Sequence, residues 1–205
     1  MATGAIKVVA IARTLGAEGE QIGGRVARRL GFRYFDEEIV TAAAKKVGVD
    51  PAVVADAEDR KTIIAQVLKD VGEAGAPGDA TANDDPAELD FGALIREAIH
   101  ETAERGDVVI VAHAASFALA GREDLLRVLV TAPVEHRVQR LATARGLDAD
   151  QAAKNVENSD AARADYLKRF YGIDRELPSH YDLVVDTAVH GQDEASALIV
   201  SAAGG

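Results

Sequence analysis

The sequence predicts an α/β fold of three layers, α/β/α, built around a five-stranded parallel sheet. Three observations carry that expectation. Short apolar runs at residues 7–12, 107–112 and 126–131 have the character of strands buried on both faces. Segments with apolar residues at helical spacing separate the runs, which implies right-handed crossovers and parallel pairing. A glycine-bearing turn follows the first run and leads into a helix, which places it at the carboxyl end of a strand, where such folds bind ligands. With 205 residues, 48% apolar and 28% charged, the chain suffices for one core, so residues 1–205 read as a single domain.

The elements follow in order. Residues 7–12 form the first strand, and Ile22, Val26, Ala27 and Leu30 give a helix over 21–30 that Gly31 stops. Residues 32–35 form a second strand, after which Asp36 opens a helix to about residue 47. Residues 59–71 read as a helix. Residues 72–90 carry glycine, alanine, proline and acid with almost no bulky apolar side chain, the composition of a flexible acidic loop. A helix over 91–105 leads through Gly106 into the strand at 107–112. The strand at 126–131 is followed by a helix from Pro133 to about residue 145, then a long amphipathic stretch over 148–170. A fifth strand at 182–186 and a helix over 193–203 complete the reading.

Charge and composition narrow the function. A formal net charge of -11 opposes a polyanion, so nucleic acid is not expected as a partner. No apolar run is long enough to cross a membrane, and the start of the chain passes directly into a strand, so the expected location is cytoplasmic. Without cysteine there is neither a disulfide framework nor thiolate metal ligation, and the five histidines lack ligand spacing, so no intrinsic metal site is expected. A local arginine cluster can still serve a small phosphorylated ligand. The sequence leaves assembly into a homo-oligomer open.

The chemistry centres on residues 13–23, Arg-Thr-Leu-Gly-Ala-Glu-Gly-Glu-Gln-Ile-Gly, between the first strand and its helix. Glycines there let backbone N–H groups turn inward, and the helix directs the positive end of its dipole at an anion. The usual ending of such a loop is Gly-Lys-Ser/Thr. Here Gly19 and Glu20 stand where the lysine and hydroxyl belong, a degenerate form of the motif. Glu18 and Glu20 also bring carboxylates near the cradle; two unit charges about 5 Å apart at an effective dielectric near 20 repel by roughly 3 kcal/mol. A glycine turn without any ligand remains the competing reading.

Taken together, residues 11–23 and 32–39, the VVIVAHAA run at 108–115, the VLVTAPVEHRVQR run at 128–140, residues 160–172 and residues 181–187 resemble, in order and spacing, the cytidylate kinase-like family. In that family a serine-arginine-glutamate-tyrosine-glycine-serine-glycine-glycine loop precedes a helix and a tyrosine-tyrosine-aspartate turn. The resemblance implies a P-loop nucleoside monophosphate kinase-like fold with a helical lid at about residues 148–175. It also implies ATP and Mg2+ as cofactors and phosphoryl transfer to a nucleoside monophosphate such as CMP, or a similar small acceptor.

Residue by residue, the resemblance implies that Arg13, Gly16, Gly19, Glu20, Gln21 and Arg137 border the nucleotide donor, and that Arg163, Arg169 and Asp36 take part in catalysis. Each has a plainer alternative. Asp36 serves as a helix N-cap. Arg137 and Arg140 form a salt-bridged helix face in which Glu135 is an available partner, and Arg163 pairs with Asp160 one turn earlier. His113 replaces the arginine that the family carries after its third strand and cannot reproduce a bidentate fork. A relative without catalytic activity that binds a ligand or regulates a partner is the alternative to the enzyme.

Overall fold

In the computed structural model, residues 5–36, 91–112 and 114–205 are described. The expected helices at 36–47 and 59–71, the acidic loop at 72–90 and His113 lie outside them.

The strands β1 (Val8–Arg13), β2 (Arg33–Phe35), β3 (Val108–Val111), β4 (Leu125–Thr131) and β5 (Leu183–Asp186) form a single five-stranded sheet in the order β2-β3-β1-β4-β5. All four pairings are parallel. The central strand β1 is flanked by β3, where Ile11 pairs with Val111, and by β4, where Arg13 pairs with Val130.

The alternation of side chains along each strand divides the core in two. Val8, Ala10, Val108 and Ile110 point to one face. There they meet α2 (Phe91–Glu104) through Ile95, Ala98 and Ile99, and α3 (Ala115–Ala118) through Ala115. Val9, Ile11, Val109, Val111, Val128 and Val130 point to the other face. They meet α1 (Gly19–Leu30) through Ile22 and Val26, and α6 (Gln192–Ala202) through Ala195 and Ile199. Because β1 is apolar at consecutive positions, it can only sit where both faces are covered, at the centre of the sheet.

A smaller cluster lies at the carboxyl edge. Leu141 of α4 (Val134–Arg145) packs on Ala152 and Val156 of α5 (Ala149–Tyr171), and Leu15 of the β1–α1 loop leans against them. Asp148 caps α5 by accepting a hydrogen bond from the Gln151 N–H at 2.8 Å, and Gly172 ends it at φ 65°. At the sheet's β5 edge, Arg127 donates to both carboxylate oxygens of Asp182, which lowers the Asp182 pKa.

The element boundaries refine the expectations by a residue or two. Helix α1 begins at Gly19 because Glu18 adopts a left-handed cap conformation, φ 65° and ψ 27°. Strand β2 begins at Arg33, whose guanidinium donates to the Gly106 carbonyl at 3.0 Å. The four-residue α3 carries no periodicity that a sequence reading could detect.

Candidate functional site

The β1–α1 loop crosses the carboxyl end of the central strand and is fixed on three sides. Thr14 N–H donates to the Val130 carbonyl of β4, and its hydroxyl lies 3.2 Å from that of Thr131. Leu15 packs into the α4–α5 cluster. Behind Ala17, the buried Thr187 hydroxyl donates to the Ala17 carbonyl at 3.2 Å. The loop thus rests on the ends of β4 and β5 as well as β1.

Two glycines are sterically required. At Gly16, φ is +82° and a Cβ would stand 2.6 Å from the Arg137 carbonyl oxygen, so backbone passes directly against backbone. At Gly19, a Cβ would collide with the Arg13 side chain, which lies across it. Gly16→Ala should therefore lower stability by about 2 kcal/mol or more, from left-handed strain plus the clash. Denaturant unfolding checks this, and a loss below about 0.5 kcal/mol would mean that the loop is not packed as described.

The first turn of α1 presents backbone N–H groups with no side-chain cap at Glu18. Such a helix start suits an anion. Its two acids are engaged with cations. Glu20 accepts from Arg13 Nε at 2.5 Å, and Glu18 lies 3.6 Å from Arg140 while accepting from Gln192 at 2.9 Å. Glu18 is thereby drawn toward α4 and α6. Glu20 instead occupies the guanidinium that the sequence offers to a phosphate. Gln21 follows in the same turn of α1.

The remaining predicted residues separate into two groups. Arg137, 4% exposed, donates from Nε to the Ala132 carbonyl at 3.0 Å and forms a bidentate pair with Asp160 of α5 at 2.9 and 2.7 Å. A weaker bond at 3.4 Å reaches the Leu15 carbonyl. Arg137 therefore clamps loop, α4 and α5 together. Its helix neighbour Arg140 donates to the Thr187 hydroxyl and carbonyl at 2.7 and 2.5 Å. Asp36, at the end of β2, accepts from the Tyr34 hydroxyl at 2.8 Å; burial and this carboxylate raise the Tyr34 pKa.

Farther along α5, Arg163 is also 4% exposed and is held bidentately by Glu176 at 2.8 and 2.5 Å. Tyr181 accepts from Arg163 at 3.1 Å and donates to Glu176. Burial alone would raise the Glu176 pKa, but the Arg163 bonds and charge outweigh it and the net shift is downward. Arg169 is exposed and pairs with Asp165 at 3.5 Å one turn earlier.

The partners Asp160, Glu176, Thr187 and Gln192 were not among the predicted site residues. Arg137 and Asp160 are 23 positions apart and Gln192 and Glu18 174, separations at which no local pattern operates. Only Thr187, just beyond a strand's carboxyl end, stood where the fold rule would have directed attention.

Among the described residues no group of three or more His, Cys, Asp or Glu gathers as a metal site. A magnesium ion carried by nucleotide phosphates needs only one or two protein carboxylates; Asp36 at the end of β2 and Asp186 at the end of β5 stand at opposite edges of the sheet, so they are alternatives and do not form one site. No helix among the described residues is long and apolar enough to cross a membrane.

The model of the cytidylate kinase-like family matches residues 8–189. The cytidylate kinase of Aeropyrum pernix is 34% identical over 146 residues, covering 69% of this chain and 80% of that enzyme. The cytidylate kinase of Methanopyrus kandleri is 32% identical over 110 residues, covering 50% of this chain and 57% of that enzyme. The match thus spans little more than half the length of the latter. The crystal structure of an uncharacterized protein from Eubacterium ventriosum superposes with a TM-score of 0.67 at 17% identity, covering 98% of this chain and 99% of the other. Shikimate kinase from Bacteroides thetaiotaomicron superposes with a TM-score of 0.51 at 14% identity, covering 96% of each chain. These likenesses show a shared α/β fold.

Proposed function

We propose that this chain, which belongs to the cytidylate kinase-like family, transfers a phosphoryl group from magnesium-bound ATP to a nucleoside monophosphate, with CMP as the first acceptor to test. The observation that carries the reading is the uncapped start of α1 behind the Gly16 turn, set at the carboxyl end of the central strand. Backbone N–H groups of Gly19, Glu20 and Gln21 would hold the donor phosphates, and Arg13 would add charge to them. ATP and Mg2+ would supply the transferable group and partial neutralisation of its charge. Either Asp36 or Asp186, at opposite edges of the sheet, would serve a hydrated ion or the acceptor.

The chain's own task in such a reaction is positioning and electrostatic stabilisation. Arg137 holds the loop against α4 and α5, and we assign it a positioning role. Arg169 is the lid arginine with local and exposed contacts, so it is the residue that would approach the transferring group. Arg163 would have to leave Glu176 to do so and otherwise fixes the lid. Residues 148–175 act as the lid of a single domain, and the cytoplasm is the location that suits a nucleotide substrate.

A second reading has one specific observation in its favour. Glu20 sits on Arg13, so a carboxylate already fills the guanidinium that a phosphate would claim. In the kinase, Glu20 is a gate displaced by substrate; in an inactive relative, it is a permanent occupant. Glu20→Gln separates them. Because Glu20 is 43% exposed on its side chain, solvent screens the pair, and removing the charge should strengthen binding of inorganic pyrophosphate by about tenfold, roughly 1.4 kcal/mol.

The direct test is an assay of ADP formation from magnesium-ATP, with and without CMP. CMP-dependent turnover supports the kinase. Absence of turnover with CMP, UMP and dCMP in a protein that binds ATP would leave the ligand-binding reading in its place.

A further inference from the structure

Glu18 occupies the cap position of α1, yet its side chain makes no cap bond there. An acceptor at that position ordinarily takes an N–H of the first helical turn, one of the groups that an anion would use. Two contacts hold the Glu18 carboxylate elsewhere. Arg140 of α4 lies 3.6 Å from one oxygen, and the Gln192 side-chain amide donates to the other at 2.9 Å. Gln192 is the first residue of α6, and its backbone carbonyl is fixed by the buried Ser196 hydroxyl, which donates to it at 2.5 Å. Its side chain is used at both ends. While the amide N–H meets Glu18, the amide oxygen accepts from Arg25 Nε at 3.2 Å, and Arg25 in turn donates to Asp193 at 2.6 Å.

A neutral amide suits this place, because only a side chain with both a donor and an acceptor can join a carboxylate to a guanidinium. A second carboxylate would repel Glu18, and an apolar side chain would release it. Arg140 cannot do the same work alone. Its guanidinium already donates to the Thr187 hydroxyl and carbonyl, and at 3.6 Å its approach to Glu18 is longer than a hydrogen bond. Gln192 therefore supplies the directional hold. We infer that Gln192 is a positioning residue of the phosphate loop, which keeps the Glu18 carboxylate off the first-turn N–H groups of α1 and leaves them to a bound phosphate. The inference rests on the reading of this loop as a phosphate site. Once released, Glu18 turns back over the helix start and neutralises its positive end, so the chain's own carboxylate competes with the ligand.

Calorimetric titration of inorganic pyrophosphate into the wild type, Gln192→Leu, Glu18→Gln and the double variant tests this, with thermal melting of each protein. Gln192→Leu should weaken pyrophosphate roughly five- to tenfold, the scale of one charge at a helix start. It should also lower Tm by about 2–4 °C, the scale of a lost hydrogen bond in a domain of this size. Adding Glu18→Gln should bring the affinity back to within about twofold of the Glu18→Gln single variant, because no carboxylate is left to restrain. Tm should stay lowered, since the bond between positions 18 and 192 remains broken. A purely structural role makes affinity follow Tm, so an affinity that stays low in the double variant overturns the inference. Wild-type affinity in Gln192→Leu also overturns it, and in that case the loop still stands as a phosphate site. No pyrophosphate binding by either the wild type or Glu20→Gln, in protein verified as folded, removes the phosphate site and the inference with it. If Gln192→Leu does not fold, Gln192→Glu decides by the same comparison: it keeps the acceptor for Arg25, should weaken pyrophosphate at least about tenfold, and should be rescued by Glu18→Gln.

Discussion

Replacing Arg163 with Met should lower the unfolding free energy by about 3–5 kcal/mol, the range for removing one partner of a buried ion pair. The Arg163 and Glu176 side chains are 5% and 22% exposed, so water cannot reclaim the carboxylate left behind. Tyr181, hydrogen-bonded to both, loses its acceptor role as well. In a domain of this size the loss corresponds to a fall of roughly 10 °C in Tm. Denaturant and thermal unfolding measure it, and a loss below about 1 kcal/mol would show that α5 does not depend on this pair. The pair also sets a pH signature. The folded-state pKa of Glu176 is lowered, so its contribution is fully present above the unfolded carboxylate range and is lost as pH falls through the folded value. The stability gap between wild type and Arg163→Met should therefore narrow in acid and stay constant from neutral pH upward.

Arg137→Met should cost about 2–4 kcal/mol and, unlike the first variant, should disturb the phosphate loop directly. Its removal strands the Ala132 and Leu15 carbonyls and the Asp160 carboxylate. Asp160, 38% exposed on its side chain, can partly rehydrate, which places the expected loss toward the lower end. Gly16 lies against the Arg137 backbone, so a shift of α4 moves the turn that shapes the cradle. The expected result is a pyrophosphate affinity reduced at least tenfold in protein that is still folded at low temperature. Asp160→Asn, which keeps one acceptor for Arg137, should reproduce a fraction of the stability loss and leave the loop nearly intact. If Arg137→Met retained wild-type pyrophosphate affinity, the clamp would be structural alone.

The strands were legible because parallel strands buried on both faces leave uninterrupted apolar runs, as in Val8–Ile11 and Val108–Val111. The strand order was not legible, since β1 lies between β3 and β4, whose residues are about a hundred positions away. The same limit governs the site. Gly16 and Gly19 were recognisable as loop glycines, whereas the reason each must be glycine, backbone of Arg137 and side chain of Arg13, requires the folded contacts. Glu18 was read as a charge facing the cradle. Its left-handed backbone and its contacts with Arg140 and Gln192 carry it away, and a non-glycine residue at φ 65° has no sequence signature. Arg137 and Arg163 were both identified as arginines of consequence. Neither Asp160 as the partner of one nor Glu176 as the partner of the other follows from helical spacing.

The α1 N-terminus and its loop are proposed to bind the phosphates of a nucleotide donor. Calorimetric titration of magnesium-ATP into the purified protein at low salt, alone and with CMP present, tests it most directly. The expected result is saturable binding that tightens about tenfold in Glu20→Gln and is strengthened by CMP. No heat from either the wild type or Glu20→Gln, in protein verified as folded, would contradict it and leave the loop a packed turn that no longer serves a nucleotide.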